Sequence, residues 1–125
     1  MIYSVKNISL MLSEDDEMLL YGQFLDSFFK RKTVAEKYKL LEEEPVYNSD
    51  HKLFFCILAG SVEKLAHDYY LPVPEWTEKS EYHFDQIYYA FDTQSPDFQR
   101  FLMQTTPIEY KKRNLMVGDT VLKRC

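Results

Sequence analysis

The apolar positions of this chain fall into short helical stripes separated by capping residues. Leu20, Tyr21, Phe24, Leu25 and Phe28 recur at i, i+1, i+4, i+5 and i+8, one face of a helix. Ser13 offers an N-cap for it, and Glu14, Asp15, Asp16 and Glu17 suit a first turn, where carboxylates meet unpaired N–H groups. Lys30, Arg31 and Lys32 close it, where the dipole favours cations. Thr33-Val34-Ala35-Glu36 reads as a capping box opening a second helix that must stop before Pro45. The third and longest helix is expected from about Asp50 to Tyr70, after a cap at Asn48 or Ser49. Apolar residues surround much of its circumference, as in a central, buried helix. Ala59-Gly60-Ser61 gives it a narrow waist that a neighbouring helix can approach closely.

The chain's ends are less regular. Ile8, Leu10 and Leu12 alternate with Ser9, Met11 and Ser13, a period of two with no second strand to pair with. Residues 1–12 are therefore read as an extended arm, packed on the body or exchanged with a second copy in a homodimer. Leu71-Pro72-Val73-Pro74 cannot be helical and must wrap the surface, with Trp76 as a lid over the core edge. Residues 77–94 are aromatic and weakly periodic, covering one short helix. Ser95-Pro96-Asp97 starts the next clearly, with Phe98, Phe101 and Leu102 as its inner face. Thr106-Pro107-Ile108-Glu109 repeats that grammar before a short helix carrying Tyr110 and Lys111–Arg113. The expectation is a single all-α domain over 1–125, four to six helices around one long central helix.

Composition agrees. In 125 residues, 46% are hydrophobic and 16% aromatic, enough for a core without disulfide or metal. Glycine is scarce at three, which argues against a turn-rich β-sandwich. Cys56 sits in an apolar run and Cys125 at the end, so no bridge is expected and a reducing, cytoplasmic setting fits. No stretch approaches the roughly 20 apolar residues that span a bilayer, and no signal-peptide pattern is visible. The net charge of -5 is uneven: residues 107–125 hold five basic and two acidic residues, while the rest is acidic. A basic tail on an acidic body suggests contact with acidic groups, internal or on a partner.

Candidate chemistry is thin. Glu63 and His67 are four apart on one helix face, and nothing completes a metal site around them. Cys56 among apolar neighbours reads as an inert small hydrophobe. The carboxylate runs read as solvated faces, and no glycine-rich phosphate loop or serine elbow is present. The expectation is no enzyme, no metal and no cofactor. The basic cluster Lys111-Lys112-Arg113 remains, with aromatics nearby. Tyr110, Lys111, Lys112, Arg113, Asn114, Trp76, Tyr88 and Tyr89 form the candidate contact surface, rich in residue types that carry binding energy.

Two segments carry a resemblance. Leu71, Pro72, Pro74 and Trp76, then Thr106, Pro107, Glu109, Tyr110, Lys111, Lys112, Arg113, Asn114 and Leu115, resemble the pattern of a small, poorly characterised bacterial protein family. The Glu44-Pro45 step and the basic ending Leu122-Lys123-Arg124-Cys125 are similar to it as well. Where members carry Pro-Trp-Phe, this chain has Ile87-Tyr88-Tyr89. The resemblance implies a place beside nucleotidyltransferase-type toxins and an antitoxin-like or regulatory role. The leading expectation is thus a non-enzymatic protein-binding module; the alternative is a nucleic-acid-binding transcriptional regulator, whose affinity would fall steeply with salt.

Overall fold

A computed structural model describes residues 2–91 and 94–123. Met1, Asp92, Thr93, Arg124 and Cys125 lie outside the described residues, and with them the last of the basic tail and the terminal thiol. Among the described residues the fold is all-α, with six α-helices arranged around one long helix: α1 (Val5–Ser9), α2 (Glu17–Lys30), α3 (Val34–Glu42), α4 (Lys52–Asp68), α5 (Pro96–Thr105) and α6 (Ile108–Lys111). No described helix is long and apolar enough to cross a membrane.

Helix α4 is central because its sequence is apolar around much of its circumference. Phe54, Phe55, Leu58, Ala59, Val62, Leu65 and Ala66 are all buried. Leu20, Phe24, Leu25 and Phe28 of α2 pack with them in one cluster, together with Leu40 and Leu41 of α3. The stripes read from the sequence are the buried faces of α2 and α4. At the end of α2, Lys37 Nζ and Arg31 Nε donate to the Phe28 and Ser27 carbonyls, at 2.9 and 3.2 Å.

The expected extended arm is instead a helix. Ser4 and Asn7 form a capping box, and α1 sends Val5 and Ile8 into the chain's own core at zero exposure. The alternation at Ile8, Leu10 and Leu12 misled because Met11 closes a turn onto the Ile8 carbonyl. Leu10, by contrast, stays exposed. The cap of α2 is also later than expected. Asp16, not Ser13, accepts the Met18 and Leu19 amides, at 3.0 and 3.2 Å. The Glu14 and Asp15 amides still close a turn on the Met11 carbonyl, so the helix cannot begin there.

After α4 the Leu71–Pro74 strap leads to Trp76. Its indole Nε1 donates to the Leu41 carbonyl at 3.0 Å, and its ring meets Tyr82 edge-on, centroids 5.1 Å apart. The expected helix over 77–94 is absent among the described residues. In its place come 3-10 turns at Glu75–Glu78 and Ser80–Tyr82, then a two-residue strand β1 (Tyr88–Tyr89). β1 lies parallel to β2 (Leu115–Met116), in register Tyr88 with Leu115. Adjacent tyrosines suit a strand, and the Asn114 carbonyl accepts the Tyr88 amide at 2.7 Å.

Helix α6 rests on the waist of α4. A Cβ added at Gly60 would lie 2.5 Å from Tyr110 Cδ1, so only glycine permits this approach. The basic segment 111–113 is thereby pressed against the middle of α4.

Candidate functional site

The expected contact residues divide sharply when placed in space. Arg113 is fully buried (0% exposed), as is Tyr110, and Trp76 is nearly so. None of the three can meet a partner, and that part of the expected surface is overturned.

Their burial has a chemical reason. Glu63 lies on the buried face of α4, where an ionised carboxylate must find a counter-charge. Arg113 Nη1 reaches Glu63 Oε1 at 2.7 Å and the Glu109 carbonyl at 2.6 Å, while Nη2 donates to the Thr77 carbonyl at 2.7 Å. The planar fork of arginine suits such divided contacts. Lys112 Nζ takes the other Glu63 oxygen at 2.8 Å and Glu78 at 3.0 Å. Burial pushes the Glu63 carboxyl up, but the hydrogen bonds and charges of Lys112 and Arg113 outweigh it, leaving it below the ordinary carboxylate value. The basic motif is thus answered from inside the molecule.

His67 belongs to the same cluster, its Nδ1 2.7 Å from Glu109 Oε2 and its Nε2 3.9 Å from Glu63 Oε2. Glu63, His67 and Glu109 do converge, but Glu63 is already bound to both cations. Among the described residues no group of three His, Cys, Asp or Glu side chains could hold a metal ion. Cys56 is fully buried, and burial pushes its thiol up to about 11, so it is a poor nucleophile.

Tyr110 is held at both ends. Its ring presses Gly60, and its hydroxyl sits 2.8 Å from Ser61 Oγ, which lies 2.7 Å from the Tyr21 hydroxyl. The Tyr21 hydroxyl donates to the Val121 carbonyl at 3.1 Å, pinning the C-terminal segment across α2 and α4. Asn114 is half-buried and its Nδ2 donates to the Phe84 carbonyl at 2.7 Å, so it shapes the chain rather than facing outward. Lys111 and Lys112 keep partial access to solvent.

The aromatic segment does reach the surface. Tyr88 is exposed and stacked on Phe84, centroids 4.5 Å apart, and Tyr89 is half-buried with its hydroxyl 3.5 Å from Met103 Sδ. Beyond it lies a surface that the sequence did not reveal. On α5 only Leu102 is buried, whereas Phe98 and Phe101, expected on its inner face, are 38% and 51% exposed. Their rings stack 6.2 Å apart, and Phe91, 50% exposed, stands 6.2 Å from Phe98. Helical periodicity put Phe98 and Phe101 beside Leu102, but it cannot tell whether a second layer covers them.

No protein-family model, no curated protein and no solved structure matches the chain.

Proposed function

We propose that this chain is a non-enzymatic protein-binding module, and that it binds through the aromatic face of Phe91, Phe98 and Phe101 with Tyr88 and Tyr89 at its edge. The observation that carries this reading is the exposed ring series of Phe91, Phe98 and Phe101, the last two stacked along α5. Contiguous exposed apolar surface on a small domain marks an interaction site. Aromatic side chains deliver large contact area at little entropic cost. A protein partner is favoured over a nucleic-acid backbone because Lys112 and Arg113 are already matched by Glu63 and Glu78. The family resemblance implies a nucleotidyltransferase-type toxin as that partner, with this chain as the neutralising or regulatory half of a two-protein module.

The test is affinity capture from source cells with the full chain, run beside Phe98→Ser/Phe101→Ser. The expected result is a protein, identified by mass spectrometry, that the parent chain retains and the variant loses. Identical retention by both chains overturns the reading. Only Leu102 of α5 is buried, so the variant should keep the parent's circular dichroism spectrum.

A further inference from the structure

A groove of about 380 Å³ opens between the first turns of α2 and α4, the chain at Ala90–Phe91, and the C-terminal segment 117–123. Leu25, Leu53, Phe54, Ile57, Val117 and Val121 supply its apolar walls. Its volume lies in the range of ligand pockets, roughly 300–1,000 Å³. Yet it does not close over an occupant. Phe91 lines it and also touches Phe98, so the groove runs on into the exposed rings of α5. Met18, 69% exposed, lines its other side. A small ligand would leave much of this strip uncovered, whereas a folded segment with apolar side chains at successive turns would cover it.

Charge decides what kind of segment. Glu17 Oε2 holds His51 Nδ1 at 2.7 Å, which sets the start of α4 against the start of α2. That end carries Glu14, Asp15, Asp16, Glu17 and Asp50, with Glu14, Asp16 and Asp50 exposed. Its nearby cation Lys52 is turned away, to the Glu81 carbonyl at 3.2 Å and over the Phe84 ring. Lys123 is the basic residue of the lining. The balance at the helix starts is strongly acidic.

We infer that the groove receives a basic amphipathic helix of a protein partner, its apolar side chains between α2 and α4 and its Lys or Arg residues against the acidic end. The inference rests on the protein-binding reading and adds the chemistry of what is bound. Complementary charge steers such an encounter, while the buried anchors hold it.

The probe is a fluorescein-labelled 16-residue helical peptide of leucine and lysine, with one tryptophan on its apolar face. Its counterpart carries glutamate for lysine, and anisotropy is read with the full chain. The lysine peptide should bind about tenfold or more tighter than the glutamate peptide. Ala90→Trp, which fills the groove, should weaken the lysine peptide by about tenfold or more. Leu53→Ser, which removes an apolar wall without adding bulk, should weaken it too, so a folding defect in one variant does not decide the result. Glu14→Lys/Asp50→Lys should weaken the lysine peptide and strengthen the glutamate peptide. Absence of binding, equal binding of the two peptides, or lysine-peptide affinity unchanged by both groove variants overturns the inference. The protein-binding reading is decided separately, by the Phe98→Ser/Phe101→Ser capture.

Discussion

At the scale of single residues, the strongest constraint is the pair buried beneath α6. Removing one partner of a buried pair leaves an uncompensated charge, at a cost of about 3–5 kcal/mol. Arg113→Met should therefore lower stability by about that much in urea unfolding, since Lys112 alone must then answer Glu63. Adding Glu63→Gln should recover part of the loss, a coupling that a double-mutant cycle reads directly. The pair also has a pH signature. Because the folded Glu63 carboxyl lies below its ordinary value of 4.5, its contribution is complete above that value and is lost as pH falls through the folded one. A plot of Tm against pH should thus fall on the acid side, and more shallowly in Glu63→Gln. A different residue carries strain of the opposite kind. Tyr70 ends α4 at φ 58°, with the Leu71 amide on the Ala66 carbonyl at 2.8 Å, a position that glycine normally holds. Its side chain is 95% exposed and supports little. Tyr70→Gly should raise stability by about 0.5–1 kcal/mol, the relief of left-handed strain exceeding the added freedom of the unfolded chain.

At the scale of elements, the tightest junction is α6 on α4. Gly60→Ala gains helix propensity of about 1 kcal/mol but drives a methyl into the Tyr110 ring, 2.5 and 2.8 Å from Cδ1 and Cε1. That ring cannot retreat, because its hydroxyl is fixed to Ser61. The clash should win, with a net loss of about 1–2 kcal/mol by urea titration. This junction was half legible in the sequence. The Ala59-Gly60-Ser61 waist announced a close neighbour, but only the folded chain shows that neighbour to be α6. Helices with strong caps and long stripes were readable from the chain: α2, α3, α4 and α5 lie close to where their patterns put them. The N-terminal residues and the 77–94 stretch were not. Short elements there take their form from tertiary contacts, Val5 and Ile8 in the core and Tyr88 beside Leu115, which no local pattern records.

At the scale of the whole molecule, the site was less legible than the fold, for a physical reason. Residue types that bind partners are the same types that fill cores, so Tyr110, Arg113 and Trp76 looked like contacts and proved to be internal supports. Phe98 and Phe101 looked internal and proved exposed, because burial depends on whether another layer lies opposite. The sequence clues to the internal pairing were the basic tail on an acidic body and Glu63, an acid amid the apolar residues of α4 that required a cation. Local stability follows buried contact, so α4 should be the most stable element and α5 among the least. Helix α5 has ten residues, of which Leu102 is buried, and a helix that short is marginal in water without packing. Hydrogen exchange on the free chain should accordingly show α5 amides exchanging roughly a hundredfold faster than those of Phe55, Leu58 and Val62 in α4. An α5 as slow as α4 would mean that its aromatic face is already covered in the free protein, and the surface assigned to partner binding would lose its vacancy.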